Sequence, residues 1–446
     1  MPRWKQTTLA GWGRLPRAET WAARPERTRE ALAALAVADA RGHIAYGAGR
    51  SYGDAALNGG GRTIVTSRLD RFSDFDPATG AVTCEPGVTF AELMRVFLPR
   101  RWLAPVNPGT AFATIGGAVA NDVHGKNHDI AGSFGDHVEW LDLALPSGEV
   151  VRCGPGERPE LFAATVGGIG LTGLILAVRL RLAKVPSNAV ELRERRIASL
   201  DEFLAAYAEP STRDGWSVGW IDVLARGGAM GRGILETARP STTGVDPAAP
   251  KQRAVPVDFP AIALNPLSVR AFNALYWRRV PAEGRERRVA WEKFLFPLDA
   301  IHQWNRIYGK RGFRQFQCVV PWDEGARAMP RLLDEVGRAG SASFLAVLKT
   351  LGGEGRGDLS FPMKGWTLAL DFPERPATLE LFTRLERLTL DHGGRLYLAK
   401  DSALSAAGFK TMYPRLDRLR AVLAVVDPER RMQSDMARRL DVWGAE

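Results

Sequence analysis

Two glycine-rich loops hold the residues of this chain best suited to chemistry. The first runs from Gly47 to Asn58 (GAGRSYGDAALN) and the second from Asn107 to Asn121 (NPGTAFATIGGAVAN). The second leads into a polar cluster, His124-Gly125-Lys126-Asn127-His128, and then into more glycine. Small residues let backbone approach a bulky, flat molecule, and N–H groups exposed in such turns bind anions. Together the loops could hold a pyrophosphate from two sides, which points to a dinucleotide. The plainer reading is a pair of tight turns.

The elements that must position these loops are short. A helix is expected over 25–40, and HIAY is a strand that breaks into the first loop. TIVTS and AVTC are strands, with a helix from Thr89 to Leu98 leading to the second loop. VEWLDLALPSGEVVRC reads as a strand pair around Pro146-Ser147-Gly148, PELFAATVGG as a helix and LTGLILAVRLRLAKV as a long strand. This is no Rossmann domain. Gly47-Ala48-Gly49 offers two glycines of that fingerprint, but Arg50-Ser51-Tyr52-Gly53 follows without helical periodicity.

From about residue 186 the glycine loops thin out. SLDEFLAAYAE is a helix and GWSVGWIDVLARG a strand. Residues 238–290 are Pro-rich and then apolar-basic, without a clear core periodicity. After them come strand FRQFQCVVP, helix EGARAMPRLLDEVGRA, strands SFLAVLKTLG and GWTLALDFP, helix ATLELFTRLERLTLDHG and strand RLYLAKD. That β-α-β-β-α-β order belongs to a ferredoxin-like unit with an antiparallel sheet. An Arg-rich helical segment closes the chain. The expected fold is α+β with two domains: a cofactor domain over 1–187, a substrate domain over 188–394 with a mobile insertion at about 238–290, and a segment over 395–446 that returns to the cofactor domain.

Composition narrows the function classes. At 446 residues, 45% hydrophobic and 25% charged, the chain is globular. The net charge of +10 comes from 60 Lys+Arg against 50 Asp+Glu. The basic residues are spread out, without finger motifs or a single-strand-binding pattern, so no nucleic acid is expected. Phosphorylated substrates or an anionic membrane surface fit better. Cys84, Cys153 and Cys318 are odd in number and far apart, which indicates buried thiols and no metal site. The N-terminus lacks an apolar signal core, and the apolar stretch Val166 to Val178 is too short for a span of about 20 residues. The expected location is cytoplasmic or peripheral to a membrane, with the periplasmic face an open alternative.

At this point the motifs carry a resemblance. AYGAGRSYGDAALNGGG, PVNPGTAFATIGGAVANDVHGKNHDIAGSFGDHV and GGIGLTG resemble the PCMH-type FAD-binding domain of the vanillyl-alcohol-oxidase family. HGKNHDIAGSFGDHV, FLAVLK, GWTLALDFP, GRLYLAKDS and MYPRLD resemble, within it, the branch that oxidises polyprenylphosphoryl ribose. The resemblance implies an antiparallel-sheet substrate domain and an FAD whose pyrophosphate lies on Gly47, Gly49, Arg50, Ser51 and Gly53. It implies that Gly109, Thr114, Ile115, Gly116, Gly117, Asn121, Val123 and His124 line the rest of the cofactor, with Tyr52, Ile175 and Tyr397. Many relatives attach flavin to a histidine in the first loop. G-R-S-Y-G-D has none, so the FAD is expected to be non-covalent.

The resemblance further implies that Lys400 serves the flavin face, as a base or as a charged group orienting the sugar hydroxyl. A free lysine is protonated at neutral pH, so a base role needs desolvation or a neighbouring cation. Lys126 and Lys349 could be that cation, or could bind the substrate's phosphate. Tyr52 and Lys126 join Lys400 as implied catalytic residues. Trp220, Gln315, Gln317, Lys349, Thr367 and Ala369 join Lys126 and Lys400 on the substrate side. Gln315 and Gln317 share one face of a strand, as do Thr367 and Ala369. Some relatives carry a cysteine, attacked by nitro-aromatic inhibitors, where Ala369 stands. Tyr397 and Lys400 are three apart, so a bulge or strand end near Ala399 is needed for both to reach the flavin.

The implied reaction is oxidation of the 2′-hydroxyl of polyprenylphosphoryl-β-D-ribose to the 2′-keto sugar. It is the first half of an epimerisation, completed by a separate NADH-dependent keto-reductase, that makes the arabinose donor for cell-wall arabinan. Residues 259–279 then read as a flap for the polyprenyl chain and an anionic membrane surface, or as an ordinary buried insertion. The competing functions are a sugar-alcohol or aldonolactone oxidase and a flavin-free lipid- or carbohydrate-binding module.

Overall fold

Alternating burial along the strands builds the molecule from three main sheets. The computed structural model describes residues 2–246, 253–340 and 344–444. The first sheet has four strands in the order Trp4–Ala10, Arg17–Ala23, Arg62–Val65, His43–Tyr46, the last two pairings parallel. The second has five antiparallel strands in the order Phe72–Asp76, Ala81–Cys84, Leu174–Arg181, Val138–Ala144, Val150–Cys153. Pro146-Ser147-Gly148 turns the chain between its last two strands, with Gly148 at φ +92°. Thr89 and Glu92 form a reciprocal cap at the start of the helix Phe90–Phe97, whose Phe90, Leu93, Met94 and Phe97 fill the core of this sheet.

The third sheet has eight antiparallel strands. Their order is Arg285–Ala290, Ala189–Ile197, Gly233–Pro240, Trp216–Ile221, Ala346–Leu351, Gly365–Pro373, Phe313–Pro321, Arg395–Leu396. The last four, with the helices Gly325–Ala339 and Pro376–Asp391, form the ferredoxin-like unit. The other four extend its sheet outward. Phe316, Cys318, Val320, Leu348, Leu368, Leu370 and Phe372 face the helices and pack with Met329, Leu332, Leu381 and Leu385. The period of two leaves Gln315, Gln317, Val347, Lys349, Ala369 and Asp371 for the opposite face. RLYLAKD contributes only the strand Arg395–Leu396; the chain then turns, Lys400 N–H donating to the Tyr397 carbonyl at 2.9 Å.

The tail packs against the first loop. Met432 bridges His43, the Asp435 carboxylate accepts from Gly59 N–H at 3.0 Å, and Arg439 pairs with both Asp54 and Asp401. Residues 238–290, which show no clear core periodicity in sequence, contain a 13-residue helix, Pro266–Arg278. Asn265 caps it, Val269 and Asn273 are buried, and Asn273 donates to Asp222 at 2.7 Å. Trp277 donates to the Ile197 carbonyl and Arg279 reaches Glu194 and Glu236. Its polar anchors hide its period, because an apolar stripe is not what holds it down.

Candidate active site

The polar face of the eight-stranded sheet, the two glycine loops and the helix Pro266–Arg278 enclose a cavity of about 980 Å³. That is large for a single small-molecule site. Gly47 to Tyr52 lie along one wall, and Gly109, Thr114, Gly116, Gly117, Asn121 and Val123 along another. Ile175, Tyr397 and Lys400 close that end, while Trp220, Phe272 and Tyr276 line the other.

The first loop fits a dinucleotide for specific reasons. Gly49 has φ +62°, and a Cβ there would lie 2.0 Å from the Tyr46 hydroxyl, which is held by the Ala10 carbonyl. Arg50 stacks over Trp12 at 4.3 Å and Phe112 at 5.1 Å. Three buried polar atoms of the cavity wall have no partner among the described residues: Arg50 Nε, Asn121 Oδ1 and His124 Nδ1. Burying such atoms unpaired is costly, so they mark where a polar ligand belongs. The Gln317 amide donates to His124 Nε2 at 3.0 Å, leaving the ring proton on Nδ1. Burial, and then Lys349, hold this imidazole neutral, well below its usual range. FAD fits this donor set.

Three lysines reach the cavity. Lys400 Nζ lies 3.9 Å above the centre of the Tyr52 ring. Burial pulls its ammonium below the ordinary lysine range, and the Asp371 carboxylate opposes that pull. Lys349 is drawn down to about 7 by burial, then by Lys126 and Lys400. Lys126 is drawn down to about 8 by burial, against Glu236, and donates to the Phe294 carbonyl while lying over the Phe294 ring. Of the two routes open to lowering Lys400, a neighbouring cation or desolvation, the second is the one that acts. At Lys349, repulsion from Lys126 and Lys400 adds to burial. Burial lifts the Tyr52 phenol well above its usual value, so it stays protonated.

Three expected contacts need correction. Ile115 is fully buried in the core of the five-stranded sheet, because it is the inward residue of a short helix, Ile115–Ala120, whose glycines face the cavity. A Cβ on Gly53 would lie 1.5 Å from the Asp401 carbonyl, so this glycine lets the loop pack on the segment carrying Lys400 and does not line the cavity. Thr367 is buried behind the wall, its hydroxyl accepting from Gln317 at 3.1 Å, while Ala369 reaches the cavity. Trp220 lines the wall and donates to the Phe344 carbonyl at 2.9 Å. Tyr397 donates to the Asn121 carbonyl at 3.1 Å and stacks on Phe361.

The sequence reading missed four charged residues around the cavity. Asp299 accepts from Thr110 Oγ1 at 2.8 Å and Ala111 N–H at 2.7 Å, tying residues 297–300 to the second loop. Glu236 faces Lys126. Arg439 joins Asp54 and Asp401, which flank Tyr52 and Lys400. Asp371 lies two residues past Ala369 on the same strand face, a spacing that could have found it.

The comparisons agree with this geometry. Residues 21–154 match the FAD binding domain family, and residues 369–440 match the D-arabinono-1,4-lactone oxidase family. The chain is 38% identical to a decaprenylphosphoryl-beta-D-ribose oxidase of Mycolicibacterium smegmatis, over 97% of each chain. It is 33% identical to an uncharacterised protein of Streptomyces coelicolor, over 79% of this chain and all of that one. A D-arabinono-1,4-lactone oxidase of Yarrowia lipolytica is 29% identical over 26% of this chain. With the FAD-binding loops in place and likeness running nearly end to end, the chain belongs to the decaprenylphosphoryl-beta-D-ribose oxidase family of FAD-dependent oxidoreductases.

Proposed function

We propose that the protein oxidises the 2′-hydroxyl of a polyprenylphosphoryl-β-D-ribose to the 2′-keto sugar, using non-covalent FAD. The observation that carries this reading is the joining, in one cavity, of the glycine loops, Lys400 and an apolar mouth. FAD, when bound on the two loops, supplies the acceptor for the hydride leaving the sugar carbon. Lys400, lowered by burial and held over Tyr52, takes the hydroxyl proton. Gln317 is oriented by His124 and Thr367, and Gln315 by Asp371, so both amides meet the sugar in fixed positions. Lys349 and Lys126 hold the phosphate.

The lipid leaves past the helix Pro266–Arg278. Phe272 and Tyr276 line the cavity, while Ile262, Leu267 and Leu275 are more than 70% exposed on the outer side. Arg270 and Arg278 stand exposed on the same helix, and each basic residue near an anionic surface adds about 1 kcal/mol. Among the described residues no helix is long and apolar enough to cross a membrane. This supports a peripheral enzyme that draws its substrate from an anionic bilayer. A separate NADH-dependent reductase then completes the epimerisation.

The test is chemical localisation of the product. Polyprenylphosphoryl ribose is turned over with an artificial electron acceptor and the product is reduced with borodeuteride. Deuterium at C2′ in both ribose and arabinose supports the assignment; deuterium elsewhere, or none, rejects it.

A further inference from the structure

The mechanism above asks of Asp371 only that it orient Gln315. It is fully buried, and among the described residues no lysine or arginine forms a salt bridge with it. A carboxylate is expensive to bury without such a partner. Its strand, Gly365–Pro373, pairs in register with Phe313–Pro321 so that Asp371 stands opposite Gln315. The Gln315 amide donates to Oδ1 and the Tyr308 hydroxyl donates to Oδ2 at 3.3 Å. Tyr308 stacks on Phe313 at 4.1 Å, and Phe313 meets the edge of Tyr52, the ring under Lys400. Two hydrogen bonds and a chain of three packed rings therefore link this carboxylate to the ring under Lys400.

Building on the proposed role of Lys400, we propose that Asp371 is the counter-charge of Lys400, a positioning residue that sets the pH at which Lys400 can accept the substrate's hydroxyl proton. Asp371 is the acidic group acting on Lys400, while burial raises its own proton affinity into reach of the lysine's. Each group favours the charged form of the other against the pull of burial. When the hydroxyl O–H bond breaks, its proton moves to Lys400 Nζ, and the resulting ammonium faces a carboxylate instead of an apolar wall. The other groups around the pair are Tyr52 on the first loop, with Arg50 and Asp299 acting on it, His124 just after the second loop, Lys349 on the adjacent strand and Tyr308. Of these only Asp299 is acidic, and its oxygens are held by Thr110 and the Ala111 N–H. Asp401, next to Lys400, is engaged by Arg439.

The experiment is the pH profile of kcat for the flavin-loaded wild type, Asp371→Asn, Tyr308→Phe and Lys400→Met. Removing the negative charge lets Lys400 lose its proton at lower pH, so the rising limb moves to lower pH in Asp371→Asn. The ratio of kcat at pH 6.5 to kcat at pH 9 rises about tenfold for each unit of movement. Tyr308→Phe keeps the ring stack and removes one donor to the carboxylate. It moves the limb the same way by less, and carries the test if Asp371→Asn loses flavin. A uniform fall in kcat with an unmoved limb, while Lys400→Met is inactive, overturns the role of Asp371 alone. Normal turnover by Lys400→Met overturns the role of Lys400 itself, and this inference with it.

Discussion

Replacing Lys349 with methionine separates substrate binding from chemistry. In the free protein the Lys349 ammonium is drawn down to about 7 by burial, then by Lys126 and Lys400, so it gives up its proton far more readily than a free lysine. A phosphate beside it restores the full charge. Above pH 7 the free protein must take up a proton to bind the phosphate, and affinity falls about tenfold, or 1.4 kcal/mol, per pH unit. At pH 6.5, Lys349→Met loses a charged hydrogen bond worth about 1.5–3 kcal/mol, or about 10- to 100-fold in affinity, and its slope above pH 7 flattens.

The same shift has a consequence for stability. The folded-state value lies below the ordinary 10.5, so between about 7 and 10.5 the unfolded chain binds the extra proton. Stability therefore rises with pH through that window, and methionine, which has no charge to bury, makes the protein more stable at pH 7. The assay is the dissociation constant of polyprenyl phosphate from pH 6 to 9, read from the flavin spectrum, with Tm measured alongside. Wild-type affinity with an unchanged pH slope in Lys349→Met would refute the reasoning.

Three other outcomes follow from single features. Acid denaturation releases the flavin into the supernatant, since the first loop, Gly47 to Asn58, holds no histidine to attach it; flavin that stays in the pellet contradicts non-covalent binding. Ala369→Cys places a thiol on the cavity wall and gains a nitro-aromatic adduct visible by mass spectrometry, whereas the wild type forms none and both turn over. Leu267→Glu with Leu275→Glu alters side chains that are 76% and 71% exposed, so FAD and Tm are unchanged while sedimentation with anionic vesicles drops; undiminished sedimentation rejects the membrane face.

The parts of this site legible in the sequence were those written as local backbone chemistry. Gly49 needs its left-handed conformation whatever surrounds it, and the alternation of Gln315, Gln317 and Ala369 fixes their face once a strand is assumed. Burial depth along that face was not legible: Thr367 and Ala369 share it, yet one lies behind Gln317 and the other at the cavity. The ferredoxin-like order is read from the chain, but the addition of four more strands depends on pairings such as Gly219 with Leu348, far apart in sequence. Contacts made by single charged side chains were hidden for the same reason. Asp299, Glu236 and Arg439 look like solvated charges until distant segments meet around them.

The most direct measurement is anaerobic mixing of the flavin-loaded protein with synthetic polyprenylphosphoryl ribose, with free ribose and with xylitol. The flavin absorbance should bleach in a single turnover with the lipid-linked sugar and stay oxidised with the other two. Equal bleaching by free ribose or xylitol, or none by the lipid-linked sugar, would contradict the assignment.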